Sequence, residues 1–312
     1  LKNYRSKTCG QPTTVERFGV ESVVGAKDAG TVPHAESVAV VVSTVTAQST
    51  AVSEEAVVTQ KPGILYQAVA GLKKPLPDGQ KRERVAMAIT VADDGPQMDG
   101  CAIVGYGILH SHIESKYDID LYAFVSPEAK RMQPILRELG YTVLERAVPV
   151  KVEELVNPTY REKAPTSGCC GLRELLKLEA LTLTQYRKVL CLDMDSLPTQ
   201  PLDELWDLDK PIIHTRDGHE REFLQGGFIM FQPDLKAYKA LLHVIRMGDF
   251  RYDGSGWEGS RIGFNYGGET IQGVVPFFFQ KKMPTNSSLI VDMCVYNNMG
   301  DSDRCKAMEP TK

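Results

Sequence analysis

Two stretches of this chain are apolar without alternation: "RVAMAITVA" (Arg84 to Ala92) and "KVLCLD" (Lys188 to Asp193). Successive side chains of a strand point to opposite faces, so a strand with no polar face must be covered on both sides. That constraint excludes a sandwich or hairpin protein with one wet face. It predicts a central sheet between two layers of helices.

The intervening pattern agrees. "GCAIVGYGILHSHI" (Gly100 to Ile113) reads as a helix, "DIDLYAFVS" (Asp118 to Ser126) as a second strand, and "PEAKRMQPILRELG" (Pro127 to Gly140) as a helix opened by Pro and closed by Gly. "YTVLERAVPV" (Tyr141 to Val150) reads as a third strand. Further on, "PIIHT" and "GGFIMFQP" read as strands, and "DLKAYKALLHVIRMG" (Asp234 to Gly248) as a helix. Leu172, Leu175, Leu176 and Leu183 have helix-like spacing, while residues 251–268, rich in Gly and aromatics, read as a long loop. Strands alternating with helices predict an α/β fold with a mainly parallel central sheet and helices on both faces.

Composition divides the 312 residues into three zones: an Ala/Val/Ser/Thr-rich N-terminal extension over 1–80, the α/β domain over 81–280, and a C-terminal tail over 281–312. "SVAVVVSTVTAQSTAVSEEAVV" (Ser37 to Val58) fits either a flexible extension or processing remnant, or an extended arm that pairs with a partner's sheet edge. The net charge of −4 argues against nucleic acid as a partner. No run of about twenty apolar residues predicts a membrane span, and the chain is expected to be soluble. It starts at Leu1 with no visible signal peptide, so either a leader has been removed or the chain is part of a longer product. The seven cysteines lack zinc-type spacing. Cys101 and Cys191 read as reduced core residues, Cys169 and Cys170 as neighbours that do not bond each other, and Cys294 and Cys305 as either a bridge or free thiols. The compartment stays open, an organelle or secretory lumen included.

The apolar strand from Lys188 ends in Asp193 and Asp195, one residue apart. In an extended chain the two carboxylates share a face and Met194 faces the other way. The carboxyl edge of an open α/β sheet is where ligands bind, and two oxygen ligands there suit Mg²⁺ or Mn²⁺ completed by phosphate oxygens. The triplet alone means little, because Asp118-Ile-Asp120, Asp207-Leu-Asp209 and Asp301-Ser-Asp303 repeat it. Asp195 is equally able to cap the following turn.

The surroundings of this triplet separate it from the others. "KLEALTLTQYRKVLCLDMDSL" (Lys177 to Leu197), "PLDELWD", "FLQGGFIMFQPDLKAYKALLHVIRMGDF" (Phe223 to Phe250) and "TIQGVVPFFF" (Thr270 to Phe279) follow one another in fixed order. Together with residues 84–145 they resemble the glycogenin-like, family-eight retaining glycosyltransferases, over roughly residues 84–300. The branch that carries Gln-Gly-Gly and Tyr-Asn-Asn ("VYNNMGD", Val295 to Asp301) is the most similar. The resemblance implies a Rossmann-like nucleotide-sugar (A-type) glycosyltransferase fold, a UDP-sugar donor, and Mn²⁺ (or Mg²⁺) bridged to the diphosphate by Asp193 and Asp195. It also implies that Lys177 adds positive charge near the phosphates or sugar, against the plain alternative of a solvated helix face. The turn from Thr90 to Asp94 would contact uridine, and Gln225, Gly226 and Gly227 would face the sugar. Gln272 would lie beside the reacting carbon.

Three departures from the family pattern accompany these matches. The family's third metal ligand is a His in a His-X-X-Gly-X-X-Lys-Pro context, and no His follows His243 in this sequence; His214 and His219 are the substitutes to consider. Gln225-Gly226-Gly227 replaces the usual Asn-Ser-Gly. Ile271 stands where many members carry Asp, and Glu269 shares a face with Ile271 only if that segment is extended. Two readings follow. One is a metal-dependent retaining hexosyltransferase acting on an unknown acceptor. The other is a catalytically degenerate glycosyltransferase fold serving as a structural or assembly subunit through its N-terminal arm. A nucleotidyltransferase using the same aspartates is a more remote reading.

Overall fold

A computed structural model of the chain describes residues 63–76, 79–95, 98–216, 224–298 and 305. The expected arm over residues 37–58 lies outside them, as do His34, His219 and the triplet at Asp301–Asp303. In chain order the elements are α1 (Ile64–Ala70), β1 (Glu83–Val91), α2 (Met98–Ser111), β2 (Tyr117–Val125), α3 (Met132–Leu139), β3 (Thr142–Glu145) and α4 (Pro158–Lys163). These are followed by β4 (Val189–Leu192), α5 (Asp203–Trp206), β5 (Ile212–Arg216), β6 (Leu224–Phe231), α6 (Leu235–Met247), β7 (Phe250–Arg251), β8 (Gly256–Trp257), α7 (Ile271–Phe277), β9 (Ser288–Val291) and α8 (Met293–Tyr296).

The main sheet has seven strands in the order β3-β2-β1-β4-β6-β5-β9. β3, β2, β1 and β4 run parallel; β6 opposes both β4 and β5, and β9 is parallel to β5. The sheet is therefore mixed but mostly parallel, with both faces dry, as the continuous apolar strands predict. Val85, Met87, Ile89 and Val91 enter one core with α1, α2 and α3. Ala86 and Ala88 enter the other, with Tyr160 of α4, Leu241 of α6 and Val274 of α7.

Topology places the ligand edge. The chain runs outward from β1 to β2 to β3, then returns to put β4 on the other side of β1. This reversal opens a crevice at the carboxyl ends of β1 and β4. Ala88 pairs with Cys191, so Thr90 and Asp193, each two residues on, end adjacent strands.

Local structure departs from expectation in five places. The leucine-rich segment Gly171–Thr182 is a run of 3₁₀ turns, not an α-helix. Leu172, Leu175, Leu178 and Leu181 are buried at a spacing that matches the three residues per turn of a 3₁₀ helix, and Leu176, Lys177, Glu179 and Ala180 are buried between them. α3 starts at Met132 rather than at Pro127, and the strand expected from Tyr141 to Val150 is limited to Thr142–Glu145. The segment from Ile271 is helical, continuing into a π turn at Phe278–Lys282, so Glu269 and Ile271 do not share a strand face. The two-stranded ribbon β7–β8, Phe250–Arg251 with Gly256–Trp257, lies largely within the loop expected over 251–268.

Two elements outside residues 81–280 pack on the sheet. The Tyr66 hydroxyl of α1 donates to the Ile119 carbonyl and accepts from the Leu121 amide. It thereby satisfies two edge groups of β2 below the start of β3. At the opposite edge β9 pairs with β5, and Ser288 Oγ lies 3.2 Å from His214 Nε2. His214 Nδ1 lies 3.0 Å from the Thr215 carbonyl. A carbonyl only accepts, so Nδ1 carries the proton and Nε2 accepts from Ser288.

Burial holds this imidazole down to about 4, against an ordinary value of 6.5. The unfolded chain therefore binds a proton that the folded chain refuses between those values, and stability falls as pH drops through that window. Urea unfolding at pH 7 and pH 4.5 should show an acid-side loss of order 2–3 kcal/mol from this residue, and His214→Gln should remove that part of the pH dependence.

Candidate active site

Lys177 organises the crevice. Its side chain is only 3% exposed, which removes the solvated-face alternative. Nζ lies 2.7 Å from Asp193 Oδ1, 2.8 Å from Glu174 Oε2 and 3.1 Å from the Gly226 carbonyl. An ammonium has three protons, and here each has an acceptor. Burial by itself lowers a lysine's pKa, but the Asp193 and Glu174 carboxylates outweigh it and hold Lys177 above its ordinary value. The 3₁₀ turns put Glu174 and Lys177 three residues apart on one ridge. β4 and β6 supply the other two acceptors.

Asp193 follows the last residue of β4, and its amide donates weakly to the Gly227 carbonyl at 3.4 Å. Asp195 is exposed. Partial burial of its carboxyl, then the charge of Asp193, raise its pKa. Met194 and Asp195 fall in a turn closed by the Ser196 amide on the Asp193 carbonyl at 3.1 Å, not in the extended chain expected, and the Met194 sulfur lies 3.4 Å from Cys101 Sγ in α2.

Among the described residues, Asp118, Asp120 and Asp207 of the competing triplets are held in ion pairs. Asp118 pairs with Lys73, and Asp120 with Arg84 and the Tyr186 hydroxyl, at the amino end of β2. Asp207 pairs with Lys116 and accepts from Tyr117.

β6 presents the two glycines with different constraints. A Cβ on Gly227 would lie 2.9 Å from Gln225 Oε1 and 3.1 Å from Asp193 Oδ2, so this position has no room for a side chain. A Cβ on Gly226 would meet Lys177 Nζ, Gln272 Nε2 and Ile271 Cγ2 only at 3.5–3.7 Å, ordinary contact distances. Gly226, Lys177 and Gln272 are thus brought together at one point. Gln272 stands in the first turn of α7, with Gly267 packed against its amide. Pro276, four residues on, has no N–H to offer the Gln272 carbonyl.

Gln225 Oε1 accepts from the Gly227 amide at 2.6 Å and from Asn297 Nδ2 at 2.5 Å. Asn297 also reaches Thr215 Oγ1. Asn297 belongs to the "VYNN" run, which sequence reasoning used only as a branch marker. The signal for its role was an amide side chain just past an Asp-capped turn, Asp292 Oδ1 accepting from the Cys294 amide. Cys294 and Cys305 form a disulfide.

The remaining candidates lie at the β1 end. Thr90 is the penultimate residue of β1 and half-buried. Asp94 Oδ1 accepts from the Arg131 and Met132 amides and so ties the β1 loop to the start of α3. Asp93 accepts from its own turn at Gly95 and pairs with Arg173 at 3.4 Å. His214 has both ring nitrogens engaged inside the sheet and has no lone pair to offer a metal.

Among the described residues the grouping of three or more His, Cys, Asp or Glu side chains close enough to share an ion is Cys169, Cys170 and Glu174, which the sequence reading did not join. Asp193 and Asp195 therefore offer a divalent cation two carboxylates and no third side-chain ligand of that kind among those residues. Such a pair fits a hard cation whose remaining ligands are phosphate oxygens and water.

No family model matches the chain. A 165-residue stretch is 27% identical to human glycogenin-2, covering 52% of this chain and 30% of that protein. The match thus spans under a third of that relative. Among solved structures, the chain is similar to an active-site mutant of LgtC, at 12% identity over 67% of this chain and 73% of that one, with a TM-score of 0.43. It is also similar to mouse xyloside xylosyltransferase 1 in its apo form, at 12% identity over 72% and 92% of the two chains, with a TM-score of 0.42.

The glycine contrast makes a prediction. Gly227→Ala should cost about 1–3 kcal/mol through overpacking. Gly226→Ala should stay within about 0.5 kcal/mol. Urea midpoints of the two variants separate these outcomes, and equal losses would refute the crowding assigned to Gly227.

Proposed function

We propose that this chain is a metal-dependent retaining glycosyltransferase that moves a hexose from a UDP-sugar to an acceptor. The observation that carries the reading is the cluster at the switch point of the sheet: a buried Lys177 on Asp193, exposed Asp195 beside it, and Gly226 at the point where Lys177 and Gln272 converge. Asp193 and Asp195 would hold Mn²⁺ (or Mg²⁺) against the diphosphate. When bound, the cation supplies Lewis-acid stabilisation for charge developing on the leaving UDP.

The chain's own residues divide the remaining tasks. Lys177 fixes the Asp193 carboxylate, so that one oxygen is committed to the ammonium and the other is directed toward β6. Gly226, with no side chain of its own, would let a ligand approach the backbone closely. Gln225, held by Asn297, would orient its hydroxyls. Gln272 would stand next to the reacting carbon, where a retaining reaction develops positive charge. Thr90 would contact uridine, with Asp94 holding that loop in place. The α/β domain would be the catalytic unit, with residues 1–80 an appended arm and residues 281–312 a tail whose first part closes the sheet.

One observation favours a second reading, a catalytically degenerate fold acting as an assembly subunit. All three protons of Lys177 are already used within the protein, leaving none for a phosphate. Under that reading, deletion of residues 1–60 should release the chain from a larger complex, while UDP binding should be absent. Under the enzyme reading, calorimetry with Mn²⁺ should detect UDP binding to the intact chain. Asp195→Ala should weaken that binding at least about a hundredfold, because this carboxylate is a direct ligand, and should leave the melting temperature unchanged. Asp193→Asn should also lose binding, but should lower stability as well by leaving buried Lys177 underpaired. No heat at millimolar UDP would sink the enzyme reading.

A further inference from the structure

Beside the crevice, Gly168-Cys169-Cys170-Gly171 forms a turn that the function above does not use. Both glycines are left-handed, at φ +64 and +55. A Cβ on Gly171 would fall 1.9 Å from the Pro165 carbonyl oxygen, and one on Gly168 would fall 3.0 Å from the Gly267 backbone. The chain thus reverses tightly and projects two neighbouring thiols to one side, Cys169 exposed and Cys170 half-buried. Their sulfurs are 3.0 Å apart and unbonded. Glu174, in the first 3₁₀ turn, lies back over them with Oε1 3.4 Å from Cys169 Sγ.

We propose that Cys169, Cys170 and Glu174 form a binding site for a borderline-soft divalent cation of the zinc type, separate from the hard-cation pair at Asp193 and Asp195. Two thiolates and one carboxylate are a three-ligand set of the kind that leaves a fourth, tetrahedral position for water or another ligand. A cation about 2.3 Å from each sulfur needs the sulfurs about 3.8 Å apart, a small side-chain rotation from their present spacing at an exposed turn. Thiolate ligands select zinc over magnesium or calcium, which prefer oxygen alone. Binding would release the protons of the two thiols to solvent.

The third ligand is preorganised. Glu174 Oε2 is held by Lys177 Nζ at 2.8 Å, while Oε1 faces the sulfurs. One carboxylate would therefore serve the cation with one oxygen and Lys177 with the other, and Lys177 becomes a supporting residue for both sites. This inference does not depend on glycosyl transfer, because it requires no nucleotide.

Cadmium titration of the reduced 312-residue chain carrying Cys294→Ser and Cys305→Ser, which removes the two bridge thiols, tests it, read by thiolate-to-metal charge-transfer absorbance. One saturable equivalent should appear, displaced by Zn²⁺ and not by Mg²⁺. Cys169→Ser and Cys170→Ser should each abolish it, and Glu174→Gln should weaken it about tenfold or more. Cys9→Ser and Asp195→Ala should leave it intact, so loss of this site and loss of UDP binding are told apart. Absence of a saturable band, or an unchanged band in the Cys169→Ser/Cys170→Ser double variant, would overturn the proposal.

Discussion

Everything at the carboxyl edge of this sheet is arranged around one buried positive charge. An ammonium removed from water is costly unless its protons are met, and Lys177 is met by the end of β4, the backbone of β6 and its own 3₁₀ segment. Those three elements are distant in sequence and neighbours in space. Satisfying Lys177 therefore fixes their relative positions, and with them the direction of the Asp193 carboxylate and the approach of Gly226 to Gln272.

The same charge explains why the crevice contains both crowding and room. Gly227 is pressed between Gln225 and Asp193, whereas Gly226, one residue earlier and on the other face of β6, opens toward Lys177 and Gln272. A strand in which both positions were alanine would either push Asp193 off its ammonium or fill the space that a ligand would use. Antiparallel β6 adds a second effect: it carries Gly226 and Gly227 to the carboxyl end of β4, the same edge that parallel β1 reaches at Thr90.

Much of this was legible in the sequence where one physical signal dominated. Uninterrupted apolar runs gave β1 and β4, because only a strand covered on both faces tolerates them. Asp234 and Gly248 bounded α6 by N-cap and left-handed C-cap chemistry, as the structure shows. The illegible parts are those where two signals compete. The leucines of Gly171–Thr182 satisfy both a 3.6 and a 3.0 period over so short a run, and tertiary burial chose the tighter one. Ile271–Phe277 contains Pro276, which argues against a helix, yet the proline withholds a single donor, from the Gln272 carbonyl, and the helical chain continues past it. The direction of β6 depends on which sheet neighbour it meets, a long-range fact with no local trace. Glu174 joined two thiols only because the backbone turned between left-handed glycines.

One covalent bond lies unexpectedly near Gln225. The Cys294–Cys305 bridge begins three residues before Asn297, whose amide holds Gln225. The bridge ties Cys294 of α8 to buried Cys305 and joins no strand of the sheet, so its reduction would leave the seven-stranded sheet standing. What would loosen first is the grip on Gln225. Thiol reagents added during purification would then register as a change in ligand discrimination at an otherwise folded protein, and preparations that differ only in reductant should not be compared as though they were the same molecule.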